Sequence, residues 1–250
     1  NDGQGNVKAI NGITENSNDI TVTVTYVKDV VNDQKAQVIY RDISDPKNIV
    51  NIGDPDTMTG KPGETIVDNN VSTRIDEITK KGYVLSSNGF PTDASYDNKD
   101  DKTQTFYVDF KHGTITVTPE KPGNGLDQKA LTKTVTETVN YVVDGGEVPA
   151  PAAKDASLTF NGTAYYDAVT KKWTDASGKE LTDPTKNITW TAKDGQQFGV
   201  GVSPEVKGYH VASVSDNNQN NYNDGQGNVK AINGITENSK DITVTVNYTK

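Results

Sequence analysis

Hydrophobic and polar residues alternate strictly over residues 19–26, DITVTVTY. Ile20, Val22, Val24 and Tyr26 fall on one side and Thr21, Thr23 and Thr25 on the other. That period of two is the mark of a half-buried strand. Further strands are predicted at residues 37–41 (QVIYR), 48–52, 83–85 and 103–111 (TQTFYVDFK), with turn formers such as Asp45-Pro46, Asp54-Pro55 and Pro62-Gly63 between them. Over 72–81 (STRIDEITKK) the spacing changes. Val71, Ile75 and Ile78 share a helical face, Ser72 or Thr73 can cap it, and Gly82 ends it. Strand–strand–helix–strand–strand predicts a small α+β unit with its helix on one sheet face.

Residues 112–130 hold Pro119, Pro122, Gly123 and Gly125 and read as a linker whose opening residues continue the preceding strand. Beyond it, 131–144 (LTKTVTETVNYVVD) is a long Thr/Val strand turned by Asp144-Gly145-Gly146. More strands are expected through Leu158 and Phe160, through Ile188, Trp190 and Ala192, and over 209–214. The halves echo each other: KGYVL at 81–85 answers KGYHV at 207–211.

Residues 223–250 repeat residues 1–28 at an offset of 222, differing only at Asn18/Lys240, Thr25/Asn247 and Val27/Thr249. The spacing exceeds any solenoid unit and fits whole domains. Residues 1–28 are therefore expected to be the tail of a preceding repeat. A first domain spans 29–113, a linker 114–130 and a second domain 131–250. Parted from its own sheet, the strand at 19–26 is expected to pair with another sheet edge, because a lone strand does not persist in water. A tandem array favours a multivalent surface protein over an enzyme.

Composition narrows the class. Hydrophobic content is 32% and mean hydropathy −0.70, which favours thin cores over one large core. Without cysteine there is no disulfide and no thiolate metal site. A net charge of −9 makes nucleic acid and anionic lipid poor partners, and no apolar run approaches a membrane span. Neither His112 nor His210 neighbours a nucleophile signature, so catalysis is not expected. The acidic cluster Asp93, Asp97, Asn98, Asp100 and Asp101 supplies oxygen ligands for Ca2+, although it lacks the ordered loop of an EF-hand and equally fits a solvated loop. Sugar recognition uses aromatic faces, and the candidates are Trp173, Tyr165, Tyr166, Tyr96 and Tyr222, each weighed against simple packing. Adjacent Tyr165 and Tyr166 must face opposite sides of a strand.

The stretch TKTVTETVNYV … AVTKKW … VSPEVKGYHV … KDITVTVNY resembles the second domain of the Mub repeat, and residues 36–112 resemble its first, MucBP-type domain. Mub repeats belong to cell-wall-anchored adhesins of gut lactic-acid bacteria. The resemblance implies two β-grasp (ubiquitin-like) domains in an elongated rod. Its implied function is extracellular binding of mucin glycoproteins by many weak contacts. Immunoglobulin binding through a sheet edge and an inert spacer role are the alternatives. It brings no catalytic residues, and it makes neighbouring repeats of the same chain natural partners.

Overall fold

The computed structural model describes residues 1–99, 101–216 and 218–250. The chain is mostly β, and its described residues contain a single α-helix. The N-terminal sheet is built from β1 (Gln34–Asp42), β2 (Val50–Asn51), β3 (Asp56–Gly60), β4 (Tyr83–Asn88) and β5 (Thr103–His112). Its order is β2-β1-β5-β4, with β3 also on β1. The first and last strands lie side by side and parallel, from Lys35 opposite Thr103 to Asp42 opposite Phe110.

Helix α1 (Val71–Lys80) follows the predicted spacing, and Val71 and Ile78 are buried. They pack with Val38, Tyr40, Val108 and Phe110, and the half-buried Ile75 joins them. The cap differs from expectation. Asn70 occupies the N-cap position without a side-chain cap bond, two residues ahead of Ser72.

β5 leads through a single residue, Gly113, into β6 (Thr114–Val117). The stretch expected to act as a linker thus begins as a strand of the C-terminal sheet, and Val117 and Leu126 are buried in one cluster. That sheet continues with β7 (Thr132–Val143), β8 (Lys154–Asp167), β9 (Trp173–Thr174), β10 (Thr189–Ala192), β12 (His210–Asp216) and β14 (Ile242–Thr249). A separate ribbon pairs β11 (Gln197–Phe198) with β13 (Ile232–Asn233). The long sheet runs β10-β8-β7-β14-β12, and β6 and β9 both pair with β8. Once more a parallel pair lies at the centre, β7 with the closing strand β14.

The expected strand at 19–26 does not form. Residues 1–33 hold no strand or helix, and Ile20, Val22, Val24 and Tyr26 are 53%, 50%, 44% and 91% exposed. Its near-identical copy at 241–248 lies almost entirely in β14, held between β7 and β12. A strand has no hydrogen bonds of its own, so the difference lies in its neighbours, which residues 19–26 lack here.

Candidate functional site

The sheets meet where β5 passes into β6. His112, the last residue of β5, places Nε2 2.8 Å from Asp42 Oδ2 and Nδ1 2.7 Å from Asp167 Oδ2. Asp42 ends β1 in the N-terminal sheet, and Asp167 ends β8 in the C-terminal sheet. Each carboxylate is aimed by its own turn. Asp42 Oδ1 accepts from the Ser44 N–H, and Asp167 Oδ1 accepts from the N–H groups of Val169 and Thr170. The His112 backbone N–H donates to Ser44 Oγ at 2.8 Å. Backbone bonds complete the joint: Gly113 donates to the Gly82 carbonyl and Ala168 to that of Gly113, both at 2.8 Å.

Electrostatics follow from this geometry. Partial burial disfavours a charged His112, but bonds to Asp167 and Asp42 outweigh it and raise the imidazole above its ordinary value. Burial likewise opposes the Asp42 carboxylate. The Ser44 bonds and His112 overcome that and hold Asp42 below the usual range. For Asp167, burial is again overcome, by the Thr170 N–H, His112 and the Val169 N–H. An imidazole with a carboxylate on each nitrogen donates twice and keeps no lone pair for a nucleophile's proton. When protonated, His112 is a bridging cation between the two sheets.

Around the bridge lies a groove of about 250 Å³ whose lining includes Ser44, Lys111, His112, Thr114, Asp167 and Thr174. The 175–178 turn flanks it, where Asp175 Oδ1 accepts from Ser177 Oγ at 2.6 Å and from the N–H groups of Ser177 and Lys179. Hydroxyls, an ammonium and turn backbone offer donors and acceptors to a hydroxylated ligand.

The sequence-predicted aromatics divide. Tyr165 pairs across the ladder with Thr174 and Tyr166 with Trp173, so the two tyrosines do face opposite sides of β8. Tyr165 shares the side of Asp167 and Thr174, and Tyr166 and Trp173 meet edge to face at 5.0 Å between ring centroids. Both are half-buried. Trp173 packs on Val117, Leu126, Leu131 and Ala164, and Ile115, opposite Tyr166, is 40% exposed. This is an aromatic ledge on the opposite face of β8 from Asp167 and Thr174 of the groove. Tyr96 does not belong to any surface: at 6% exposure it packs with Ala36, Ile66 and Ala94. Tyr222 leans on the C-terminal core around Val214 and Val229, away from the ledge.

The described members of the acidic cluster do not gather around one point. Asp93, Asn98 and Asp101 are exposed, and Asp97 Oδ1 accepts from the Lys99 N–H in a local turn. Among the described residues no three acidic or histidine side chains come together to hold a metal ion, and Asp100 lies outside those residues. A face that sequence reasoning missed lies on the N-terminal sheet. Arg41 stacks 3.7 Å over the Tyr107 ring and binds Asp109 through two nitrogens. Strand alternation puts Tyr107 and Asp109 on one face of β5, but nothing local pairs β1 with β5.

A polar groove whose histidine is already bridged, and an aromatic ledge on the other face of β8, suit a binding module. Two family models match the chain: Mucin binding domain over residues 34–112 and Muc B2-like domain over residues 126–250. The chain belongs to the Mub repeat family. Among solved structures, "Crystal structure of Mub-RV" is 27% identical and covers 86% of this chain and 98% of its own, with a TM-score of 0.49. The type 2 repeat of the mucus binding protein MUB from Lactobacillus reuteri is 25% identical over the same shares, with a TM-score of 0.37. The MucBP domain of an adhesion protein from Pediococcus pentosaceus is 24% identical, covering 46% of this chain and 96% of its own, with a TM-score of 0.31. A search of curated proteins found no match. Among the described residues no helix is long and apolar enough to cross a membrane.

Proposed function

We propose that this chain is a repeat unit of an extracellular, cell-wall-anchored adhesin that holds mucin glycans through the joint groove and the Tyr166–Trp173 ledge. The observation that carries the reading is that one strand, β8, presents both: Tyr166 to the ledge and, on its opposite face, Asp167 to the groove. One sugar of a branched glycan stacks on the aromatic face, and the hydroxyls of another reach the polar groove. Each contact is weak, and linked repeats multiply the affinity without new contacts. We also propose that both sheets are β-grasp folds in tandem, a reading supported by the central parallel pairs β1–β5 and β7–β14. The bridged joint supports a stiff rod. A second reading, strand addition by an immunoglobulin, is favoured by β4, an edge strand whose residues after Tyr83 are all exposed.

The test is retention of the chain on immobilised mucin against retention on immunoglobulin. Mucin retention that survives added salt is expected, since a chain of net charge −9 and an anionic mucin repel and salt screens that repulsion. Retention that collapses between low and moderate salt refutes the reading in favour of a cationic-patch mechanism.

A further inference from the structure

β7 sends Val135, Glu137, Val139, Tyr141 and Val143 to one face, and all five are buried. Four suit a core and one does not. Glu137 stands between two apolar clusters, with Val135 in one and Val139 in the other. It is 5% exposed, and its Oε2 is buried without a hydrogen-bond partner. A valine or leucine would continue the row without the loss of hydration that a carboxyl suffers there. The carboxyl therefore costs stability, and an unsatisfied buried group of this kind calls for an explanation.

Glu137 opens onto a cavity of about 260 Å³, shared with Tyr141, Lys154, Asp155, Ala156 and Val200. Lys154 is fixed at its edge: Nζ donates to the Val202 carbonyl at 3.1 Å and lies 5.9 Å from the centre of the Tyr141 ring. Asp155 Oδ1 accepts from Thr138 Oγ1 at 2.6 Å.

We propose that this cavity is a second sugar subsite, taking one neutral ring with a hydroxyl donated to Glu137 Oε2. The proposal rests on the glycan-binding reading above and adds a site to it. Charge selects a neutral ligand. A cation meets Lys154, an anion meets Glu137, and a polyol satisfies both signs because each hydroxyl donates and accepts. Size selects a single ring, since the volume falls just under the ~300–1,000 Å³ usual for ligand pockets. The wall selects a ring with an apolar side: C–H groups pack on Ala156, Val200 and Tyr141. Burial also pushes the Glu137 carboxyl up, so more of it is neutral than in an exposed glutamate, and a neutral carboxyl both gives and takes a hydrogen bond.

The experiment is an amide NMR titration of the whole chain with galactose and with N-acetylgalactosamine, repeated in Glu137→Leu and Glu137→Gln. Shifts at the amides of Ala156, Gly199 and Gly201 that saturate at millimolar sugar are expected. Glu137→Leu should abolish them while raising the melting temperature by several degrees. Glu137→Gln keeps a hydrogen-bonding atom and should weaken binding only a few-fold. Unmoved amides, or equal shifts in Glu137→Leu, overturn the subsite. So does a lowered melting temperature in Glu137→Leu, which would show Lys154 already pairing with the carboxylate. Retention of the native chain on mucin separates the two claims. Retention without these shifts removes the subsite alone, and shifts without retention remove the mucin reading alone.

Discussion

Replacing His112 with alanine removes both sides of the joint at once. Asp42 and Asp167, which lie 2.8 and 2.7 Å from the imidazole, are left without the cation between them. The carboxylates are 11% and 13% exposed and the imidazole 23%, so water screens them only in part. Breaking a buried pair costs about 3–5 kcal/mol. Discounted for the exposed share, His112→Ala should cost about 2–3 kcal/mol. The cost must also follow pH. His112 is raised in the folded chain, so its contribution is full below the unfolded value near 6.5 and fades as pH rises through the higher folded value. Asp42 and Asp167 are lowered, so theirs is full above about 3.9 and fades as pH falls through the lower folded values. The stability gap between native and variant should therefore peak at roughly pH 4–6.5 and shrink on both sides. Urea midpoints of both proteins across the pH range measure the gap, and imidazole NMR titration measures His112 directly. A gap that stays flat with pH, or an imidazole that titrates at its ordinary value, refutes the bridge.

Four other outcomes are expected. Gly82→Ala should lower the melting temperature by several degrees and move the Gly113 and Ala168 amides, because Gly82 has φ +101° and a Cβ there overlaps the Ala168 carbonyl. Removing residues 1–28 should leave the unfolding midpoint nearly unchanged in a calorimetric scan, since they form no strand or helix and lie exposed. Tyr166→Ala should cut mucin retention several-fold with little loss of stability. Tyr96→Ala should do the reverse, costing about 3–5 kcal/mol in urea unfolding while the folded fraction still binds.

What the chain declares locally was legible, and what depends on distant partners was not. The loop NDGQGN shows the division because it occurs twice. In both copies the second residue's Oδ1 accepts from the N–H two residues on, at 2.8 Å for Asp2 and 2.7 Å for Asp224, and its Oδ2 holds the last Asn side chain, at 2.8 and 2.9 Å. Thr14 and Thr236 likewise donate their N–H to Ser17 and Ser239 at 2.9 Å. These bonds span few residues and form whatever surrounds them. The strand that follows is made only in the second copy, where β7 and β12 flank it. The same rule divides the site. Alternation alone separated Tyr165 from Tyr166, and helical spacing found α1. The His112 bridge joins residues 70 and 55 positions apart, which no local pattern can bring together. Tyr96 belongs to a loop whose spacing gives no sign of burial, yet it packs over Gly60, where a side chain would collide with its ring.

The parallel pairs at the centre of each sheet have a mechanical meaning. When the chain is pulled by its ends, force enters the N-terminal sheet at the start of β1 and leaves at the end of β5. These are opposite ends of two hydrogen-bonded neighbours, paired from Lys35 and Thr103 to Asp42 and Phe110. The strands must slide past one another, so the ladder is loaded in shear and its bonds resist together. In an antiparallel hairpin pulled from its open end, the bonds would instead break in succession. In the C-terminal sheet β7 and β14 are likewise parallel neighbours, and tension passing through Gly113, beside the bridged histidine, first meets β6 on β8. For a mucus-binding repeat under tension, this geometry spreads the load over a whole ladder of bonds at once.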